Sequence, residues 1–286
     1  MLPKEIVVLS GKGGAGKTTV TSILSHLLPN KVICDCDVEG ANLHLLLHPE
    51  ILWSRRLSLG RIASVRQEIC VGCGECARHC RFSAIRMKGR KAEVMGEKCE
   101  GCGVCDLVCP VGAIEMVQEE TGWIYRGGSE WGEFFYAELE PGKGNSGRLV
   151  SELKQQARSY AVSAGVRFML VDGPPGLGCP VISALSGAEI VVLVQEATPS
   201  GYADMERLIM LTERFPNIRL RVGIINKWGI DESADRDCEG LFVRHNIPII
   251  AKIEFDEKIV QSQLEGKIWV PEYLNEDWLI SSLGLD

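Results

Sequence analysis

The sequence lacks any long run of apolar residues. No uninterrupted apolar stretch approaches the about 18–20 residues that a membrane-spanning helix needs, so no such helix is expected. It also lacks an apolar leader, because the first five residues run directly into a strand-like segment. We therefore expect no signal peptide. The C-terminal tail lacks the Lys/Arg face with which an amphipathic helix binds a membrane, so no association with a membrane is expected.

Basic residues are also fewer than acidic ones. The chain has 31 Lys and Arg residues against 38 Asp and Glu, which gives a formal net charge of −7. Broad nucleic-acid binding needs a basic face, so we expect no nucleic-acid partner, although a local basic patch is compatible with this balance. With 286 residues, of which 45% are hydrophobic, the chain can bury a full core and hold more than one domain.

Cysteine, in contrast, is abundant. Twelve cysteines in a small secreted protein would indicate disulfides. Most of those in this sequence have the spacing of metal ligands instead, which is typical of a reducing compartment. The sequence therefore predicts a cytoplasmic protein that binds metal through thiolates.

Eight of the cysteines form two matching runs. Each run has the spacing C-x-x-C-x-x-C-x-x-x-C, and Pro110 follows the second one. This is the bacterial ferredoxin pattern for two [4Fe–4S] clusters, in which the fourth cysteine of each run ligates the cluster of the other run. The predicted ligand sets are Cys70, Cys73, Cys76 and Cys109 for one cluster, and Cys99, Cys102, Cys105 and Cys80 for the other. The alternative, a pair of zinc sites, would usually show four ligands as two separated pairs.

The first run departs from the usual pattern in one respect. Arg81 follows Cys80 at the position where proline is usual. Further basic residues surround it in the sequence, namely Arg78, Arg86, Lys88, Arg90 and Lys91. Because nearby charge tunes the potential of a cluster, we expect an electrostatic effect on the clusters.

A phosphate-binding loop stands near the N-terminus. Lys4–Ser10 is a short apolar segment typical of a buried strand, and the segment from Thr18 to Leu28 has helical character. Between them, Gly11-x-x-x-x-Gly16-Lys17-Thr18 fits the P-loop pattern in its required strand–loop–helix setting. Its glycines let backbone N–H groups approach phosphates, and the helix N-terminus adds a favourable dipole. Lys17 is predicted to reach the β- and γ-phosphates, and the Thr18 hydroxyl to ligate Mg²⁺.

The full loop sequence resembles the deviant Walker A motif of the MinD/ParA/nitrogenase-iron-protein family, because Lys12 adds a second lysine directly after Gly11. The resemblance implies that Lys12 crosses a dimer interface to the partner subunit's nucleotide, and that the active form is an ATP-dependent homodimer. Taken alone, Lys12 could equally be a solvated loop lysine. The predicted nucleotide-binding residues of the loop are Gly11, Gly13, Gly14, Ala15, Gly16, Lys17, Thr18 and Thr19.

Four polar residues at strand ends extend the resemblance. It implies that Asp37 positions the attacking water, and that Asp35 and Asp172 help to hold Mg²⁺. It also implies that Asn226 reads adenine. The alternative for Asp35 and Asp37 is a capping or turn role, which aspartate often plays. Ligands of parallel α/β sheets bind outside the carboxyl ends of the strands, where all four residues fall.

The rest of the chain alternates apolar strands and helices. This pattern predicts an α/β fold with a doubly wound, mostly parallel sheet. The cysteine runs interrupt the alternation as an inserted small α+β domain that resembles bacterial ferredoxins. We expect a P-loop ATPase domain from residues 1–62 and 119–286, and a ferredoxin-like domain from residues 63–118. The stretch from Gly127 to Gly147 is interpreted as the return path between them.

The four remaining cysteines fall outside the runs. Cys179 lies seven residues after Asp172, the offset of a cluster-ligating cysteine near the dimer axis of the nitrogenase iron protein, which implies a possible dimer-axis thiol. The alternative is a small buried residue, the common state of free cysteine. Cys34, Cys36 and Cys238 are predicted to be structural.

Three functions stay open at this stage. In the first, ATP-driven rearrangement of the dimer gates electron transfer from the clusters to a protein partner. In the second, the protein assembles or delivers a metal–sulfur cluster, although the C-terminal C-x-x-C of scaffold ATPases is absent. The third is a positioning switch like MinD or ParA with structural or redox-sensing clusters, against which the lack of a basic amphipathic tail counts. The predicted cofactors are ATP, Mg²⁺ and two [4Fe–4S] clusters.

Overall fold

A computed structural model describes residues 2–285, with only the backbone described for residues 199 and 200. The chain forms two compact units. The first contains Met1–Ser54, Ile124–Glu138 and Ser146–Asp286, and the second contains Arg55–Trp123 and Leu139–Asn145. The predicted inserted segment, 63–118, therefore lies inside a larger second unit that also includes a short stretch further along the chain.

The strands are β1 (Lys4–Leu9), β2 (Lys31–Asp35), β3 (Glu50–Leu57), β4 (Gly60–Val65), β5 (Ile85–Lys88), β6 (Lys91–Val94), β7 (Ile114–Glu119), β8 (Gly122–Ser129), β9 (Gly132–Leu139), β10 (Phe168–Asp172), β11 (Ile190–Glu196), β12 (Leu220–Trp228) and β13 (Ile249–Glu254). The helices are α1 (Lys17–Leu27), α2 (His44–Leu47), α3 (Glu75–His79), α4 (Val104–Leu107), α5 (Ser146–Ser163), α6 (Cys179–Leu185), α7 (Pro199–Thr212), α8 (Glu232–Arg244), α9 (Glu257–Leu264) and α10 (Glu276–Leu283).

Nine strands form the main sheet, in the order β13-β12-β11-β1-β10-β2-β9-β8-β3. The pairs from β13 through to β9 are all parallel. From β1 the sheet extends through β10 and β2 on one side and through β11, β12 and β13 on the other, so it is doubly wound. The carboxyl ends of β1, β2 and β10 therefore meet at one edge. This confirms the predicted fold class.

Sequence periodicity explains why α1 packs where it does. Val20, Ile23, Leu24 and Leu27 recur at the spacing of one helical face, and all four are buried. That face packs in a core with Ile6 and Val8 of β1 and with other strand residues. The helix is thereby fixed directly after the phosphate loop.

The prediction for the stretch from Gly127 to Gly147 was wrong in part. This stretch contains the end of β8 and all of β9, which pairs in parallel with β2. Phe134, Phe135 and Ala137 of β9 are almost completely buried. Burial of these apolar side chains stabilises a sheet strand within the stretch that was interpreted as the return path.

The second unit contains two antiparallel strand pairs, β4 with β7 and β5 with β6, and the short helices α3 and α4. Its core is small. Ala63, Ile85, Ala92 and Ile114 are buried together with Cys76 and Cys105. So few apolar side chains bury little surface, and small domains of this kind usually need a metal or another crosslink for stability.

No helix in residues 2–285 is both long enough and apolar enough to cross a membrane.

Candidate functional site

The phosphate loop connects β1 to α1. Gly14 and Gly16 have φ angles of 83° and 89°, in the left-handed region that favours glycine. A Cβ atom at Gly16 would also collide with the side-chain amide of Asn226. Both positions therefore favour glycine for backbone geometry, and Gly16, which belongs to the P-loop pattern, requires it for close packing as well.

Lys17 lies at the centre of a cluster of acidic side chains. Its Nζ atom is 2.9 Å from Asp172 Oδ1 and 3.7 Å from Asp37 Oδ2, and the residue is only 6% exposed. Burial alone would lower the pKa of Lys17, but the carboxylates of Asp172, Asp35 and Asp37 outweigh burial and raise it. Lys17 is therefore held as a cation at the end of the loop.

Asp172 accepts hydrogen bonds from two hydroxyl groups of α1. Thr18 Oγ1 donates to Asp172 Oδ2 over 3.0 Å, and Thr21 Oγ1 donates to Asp172 Oδ1 over 2.8 Å. The first contact brings together two predicted Mg²⁺ ligands. Thr21 was missed by the sequence analysis, because it lies one helical turn beyond the P-loop pattern and its contact depends on the β1–β10 pairing.

Asp35 is completely buried at the end of β2. It accepts hydrogen bonds from the backbone N–H groups of Asp37, at 3.0 Å, and Leu43, at 3.2 Å. Burial, and then the negative charge of Asp172, raise the pKa of Asp35 to about 8. Burial also raises the pKa of Asp37. Carboxylate and hydroxyl oxygens in this arrangement suit Mg²⁺, a hard cation that prefers oxygen ligands.

Lys12 contacts other residues of its own chain. Its Nζ donates to Thr198 Oγ1 over 2.9 Å and lies 3.3 Å from Glu196 Oε2. Glu196 also pairs with Lys227 over 2.7 Å, and the two lysines lower the pKa of this carboxyl although burial acts in the opposite direction. Sequence reasoning missed Glu196 and Thr198, because nothing in the local pattern after β11 marks them as partners of a loop lysine.

A cleft lies next to the loop at the end of β12. Asn226 and Lys227 line it with Phe255 of the β13–α9 connection and Ile259 of α9, and its empty volume is about 700 Å³ including open solvent. Asn226 Nδ2 donates to the carbonyl of Ala15 over 3.0 Å, which ties this strand end to the loop. The predicted adenine-reading residue thus lines a cleft that adjoins the phosphate loop and can accept a nucleotide base.

The second unit contains two small clefts lined by cysteine, each with an empty volume of about 330 Å³ including open solvent. The first cleft is lined by Cys70, Cys73, Cys76 and Cys109, and the second cleft by Cys80, Cys99, Cys102 and Cys105. Each cleft thus collects three thiols from one run and the fourth from the other, which is the grouping that the spacing predicts. Among the described residues no three Cys, His, Asp or Glu side chains converge as the ligands of a single metal ion do, so the ligand geometry stays a prediction.

Backbone N–H groups point at several of these sulfur atoms. Ala113 N lies 3.1 Å from Cys109 Sγ, and Ala84 N lies 3.3 Å from Cys80 Sγ. The two contacts are equivalent, because in each run the N–H group belongs to the alanine four residues after the fourth cysteine. Hydrogen bonds of this kind favour thiolates and tune the potential of an iron–sulfur cluster, so the thiol clefts fit that cofactor.

The remaining cysteines separate into two groups. Cys34, Cys36 and Cys238 are buried, and Cys34 Sγ lies 3.6 Å from Cys36 Sγ. Cys179 is exposed at the start of α6, which contradicts the alternative of a small buried residue. A role for Cys179 at a dimer axis stays a prediction.

Comparison with known proteins decides the family. Residues 63–116 match the family model of a 4Fe-4S dicluster domain. The chain is 34% identical over 230 residues to the uncharacterized protein MJ0578 of Methanocaldococcus jannaschii, and the alignment covers 79% of each chain. The chain belongs to the same family as MJ0578.

Solved structures show which fold the chain has. The chain aligns with MinD in complex with Mg-ADP from Pyrococcus horikoshii with a TM-score of 0.55 and 21% identity, over 93% of this chain and 87% of that one. With the cell division ATPase MinD of Pyrococcus furiosus the TM-score is 0.56 and the identity 19%, over 98% and 96% of the two chains. The family member described here therefore has a MinD/ParA-like α/β fold with a 4Fe-4S domain inserted in it, as the resemblance implies.

Proposed function

We propose that this protein is a Mg²⁺-dependent ATPase that carries two [4Fe–4S] clusters, and that its nucleotide state controls electron transfer or the delivery of a metal–sulfur cluster. The observation that carries this proposal is the presence of two clefts, each lined by four cysteines, in a chain whose phosphate loop gathers Lys17, Thr18, Asp37 and Asp172. Neither feature alone would suggest that nucleotide and cluster chemistry are linked.

The nucleotide site supports phosphoryl chemistry residue by residue. Lys17 provides a buried positive charge for the β- and γ-phosphates. Thr18, Asp35 and Asp172 would hold Mg²⁺ through hard oxygen atoms, and the bound ion would neutralise charge that develops during phosphoryl transfer. Asp37 lies 3.7 Å from the Lys17 ammonium, and we assign it the role of orienting the attacking water.

We further propose that the active form is a homodimer in which Lys12 contacts the nucleotide of the second copy. Lys12 is 27% exposed and bound by Glu196 and Thr198 of its own chain. Contacts of a partly exposed lysine with a carboxylate and a hydroxyl are weak enough to be exchanged for contacts with a phosphate.

The clusters would supply one-electron chemistry when bound. The two clefts offer complete sets of four thiols, which favours resident electron carriers over a transient scaffold. The protein's contribution is to hold the thiols, to donate N–H groups to sulfur and to keep the buried Cys76 and Cys105 away from water.

The first test is composition and turnover of anaerobically purified protein. We expect about eight iron and eight sulfide per chain from two four-iron clusters, together with Mg²⁺-dependent ATP hydrolysis. Stoichiometric zinc without inorganic sulfide would remove the cluster assignment, and protein with full clusters that neither binds nor hydrolyses ATP would remove the nucleotide assignment.

A further inference from the structure

The second unit is built from two copies of one pattern. Cys70 and Cys99 are 29 positions apart in the sequence, and so are Cys80 and Cys109. The fold repeats with the same offset, because Gly72 packs against the carbonyl of Arg90 and Gly101 packs against the carbonyl of Arg61, each too closely to allow a Cβ atom. Positions that differ by 29 can therefore be compared directly between the two clefts.

The two copies carry opposite charge. Residues 66–91 contain seven basic and two acidic residues, a formal charge of +5, whereas residues 93–120 contain one basic and seven acidic residues, a formal charge of −6. Part of the positive charge is paired, since Arg78 contacts Glu75, and Arg86 and Lys88 contact Glu93. An excess of positive charge stays with the first copy.

Several of these basic residues bind the backbone that surrounds the first cleft. Lys91 Nζ donates to the carbonyl of Cys70 over 2.6 Å, and Arg78 donates to the carbonyl of Cys73 over 3.5 Å. Arg66 donates to the carbonyl of Gly112. The cationic groups of Arg66, Arg78 and Lys91 are thus held close to the cysteines of the first cleft.

The rim of the first cleft also exposes apolar side chains. Val71 and Val111 line this cleft, and they are 62% and 41% exposed. At the position that matches Val71, the second cleft carries the acidic Glu100. The second cleft also exposes apolar side chains, since Phe82 is 42% and Val104 is 38% exposed. The two rims therefore differ in charge: basic side chains are bound around the first cleft, whereas the acidic Glu100 lines the second.

We propose that the rim of the first cleft, formed by Val71 and Val111 with Arg66, Arg78 and Lys91, is the docking surface for an acidic one-electron carrier protein. This inference rests on the proposed function, which assigns a cluster to that cleft. Redox partners meet through small interfaces in which complementary charge steers the encounter and a few apolar contacts hold it. The carrier would exchange one electron with the cluster that Cys70, Cys73, Cys76 and Cys109 would hold. One centre would be oxidised as the other is reduced, and no bond would form or break.

The test uses the full-length, cluster-loaded protein and flavodoxin, an acidic flavin protein, as the probe. Binding is measured anaerobically by surface plasmon resonance at low ionic strength and at high salt. We expect flavodoxin to bind at low ionic strength, with an affinity that falls steeply as salt is added. Arg78→Glu should weaken this affinity roughly three- to tenfold. The matched control is Lys98→Glu, the same charge change in the acidic copy, which should leave flavodoxin affinity nearly unchanged.

A second pair of variants tests the apolar rim and covers the case in which Arg78→Glu loses its clusters. Val71→Asp should weaken flavodoxin binding, whereas Val104→Asp, on the rim of the second cleft, should not. The proposed docking surface is overturned if flavodoxin does not bind the wild-type protein. It is also overturned if, in both pairs, the variant and its control weaken flavodoxin binding equally. Iron and sulfide analysis of each sample separates this failure from that of the proposed function, which would show as wild-type protein without clusters.

Discussion

The two lysines of the phosphate loop face different groups within one chain. Lys17 is buried against Asp172 and Asp37, and Lys12 is bound at the surface by Glu196 and Thr198. Removal of the two side chains therefore leaves different charges unpaired. Loss of Lys17 leaves buried carboxylates without their cation, whereas loss of Lys12 frees a carboxylate that Lys227 still contacts.

Substitution of Lys17 and Asp37 should separate nucleotide binding from hydrolysis. Lys17→Ala removes a charge-assisted contact to phosphate, worth about 1.5–3 kcal/mol, and should weaken ATP binding roughly 10- to 100-fold. Asp37→Ala should keep ATP affinity and slow hydrolysis about a hundredfold, because the water loses its orienting group. Fluorescent-nucleotide titration and phosphate release measure the two effects. Equal losses of affinity in both variants would contradict the assigned roles.

Lys12 should matter for self-association. We expect Lys12→Ala to bind ATP but to weaken the ATP-dependent homodimer, which light scattering measures. Lys267→Ala is the control, since Lys267 is exposed and pairs with Glu265. Normal dimerisation and turnover of Lys12→Ala would show that this residue does not act across an interface.

At the scale of single elements, strand β2 ends in the buried Asp35 and begins with the half-buried Lys31. Burial lowers the pKa of Lys31, its first residue, to about 8. The unfolded chain keeps this lysine protonated up to its ordinary pKa near 10.4. Between about pH 8 and pH 10.4 the unfolded state therefore binds more protons than the folded state, and this group makes stability rise with pH.

Replacement of Lys31 by methionine should remove that pH dependence. At pH 7 the folded protein must keep a partly buried lysine charged, so we expect Lys31→Met to be more stable than the wild type by about 1–2 kcal/mol after allowance for solvent screening. The difference should shrink as the pH rises from 8 to 10. Urea denaturation at both ends of this range is the measurement, and a difference that does not change with pH would contradict the prediction.

The same elements show how far the sequence can be interpreted alone. A near-continuous apolar run, Lys4–Ser10, identified β1 within one residue, because both faces of a parallel sheet are buried. β8 and β9 were missed, because the glycines around them suggest turns and the burial of Phe134 depends on the distant β2.

The functional residues were predictable where they all belong to one continuous sequence motif. Lys17 and Thr18 belong to one continuous loop, and the two thiol clefts follow from spacing alone. Glu196, Thr198 and Thr21 were not predictable, because each meets its partner only through sheet pairing between segments far apart in the chain.

For the whole molecule, nucleotide and clusters should influence each other. Asp37 precedes the segment that leads into the second unit, and it is predicted to respond to the γ-phosphate. If nucleotide state biases the clusters, linkage requires that cluster reduction changes nucleotide affinity by the same free energy, typically about 1–3 kcal/mol. For a one-electron couple, 1.4 kcal/mol corresponds to about 60 mV.

Redox titration tests this coupling directly. Midpoint potentials are measured with ADP, with a non-hydrolysable ATP analogue and without nucleotide, and we expect at least one potential to shift by tens of millivolts. Lys17→Ala, which should not bind nucleotide at the concentrations used, is the control and should show no shift. Potentials that agree in all three states would mean that the clusters are independent carriers or structural.

The path of the chain through the two units has a consequence for biosynthesis. The second unit is complete in sequence at Asn145, whereas β1 has both of its sheet neighbours, β10 and β11, further towards the C-terminus. At about 5–20 residues per second, a ribosome needs several seconds to add the roughly fifty residues between those points. The nascent protein therefore presents a full set of thiols while the centre of the main sheet still lacks its partners, and iron and sulfide can be loaded before the nucleotide site exists.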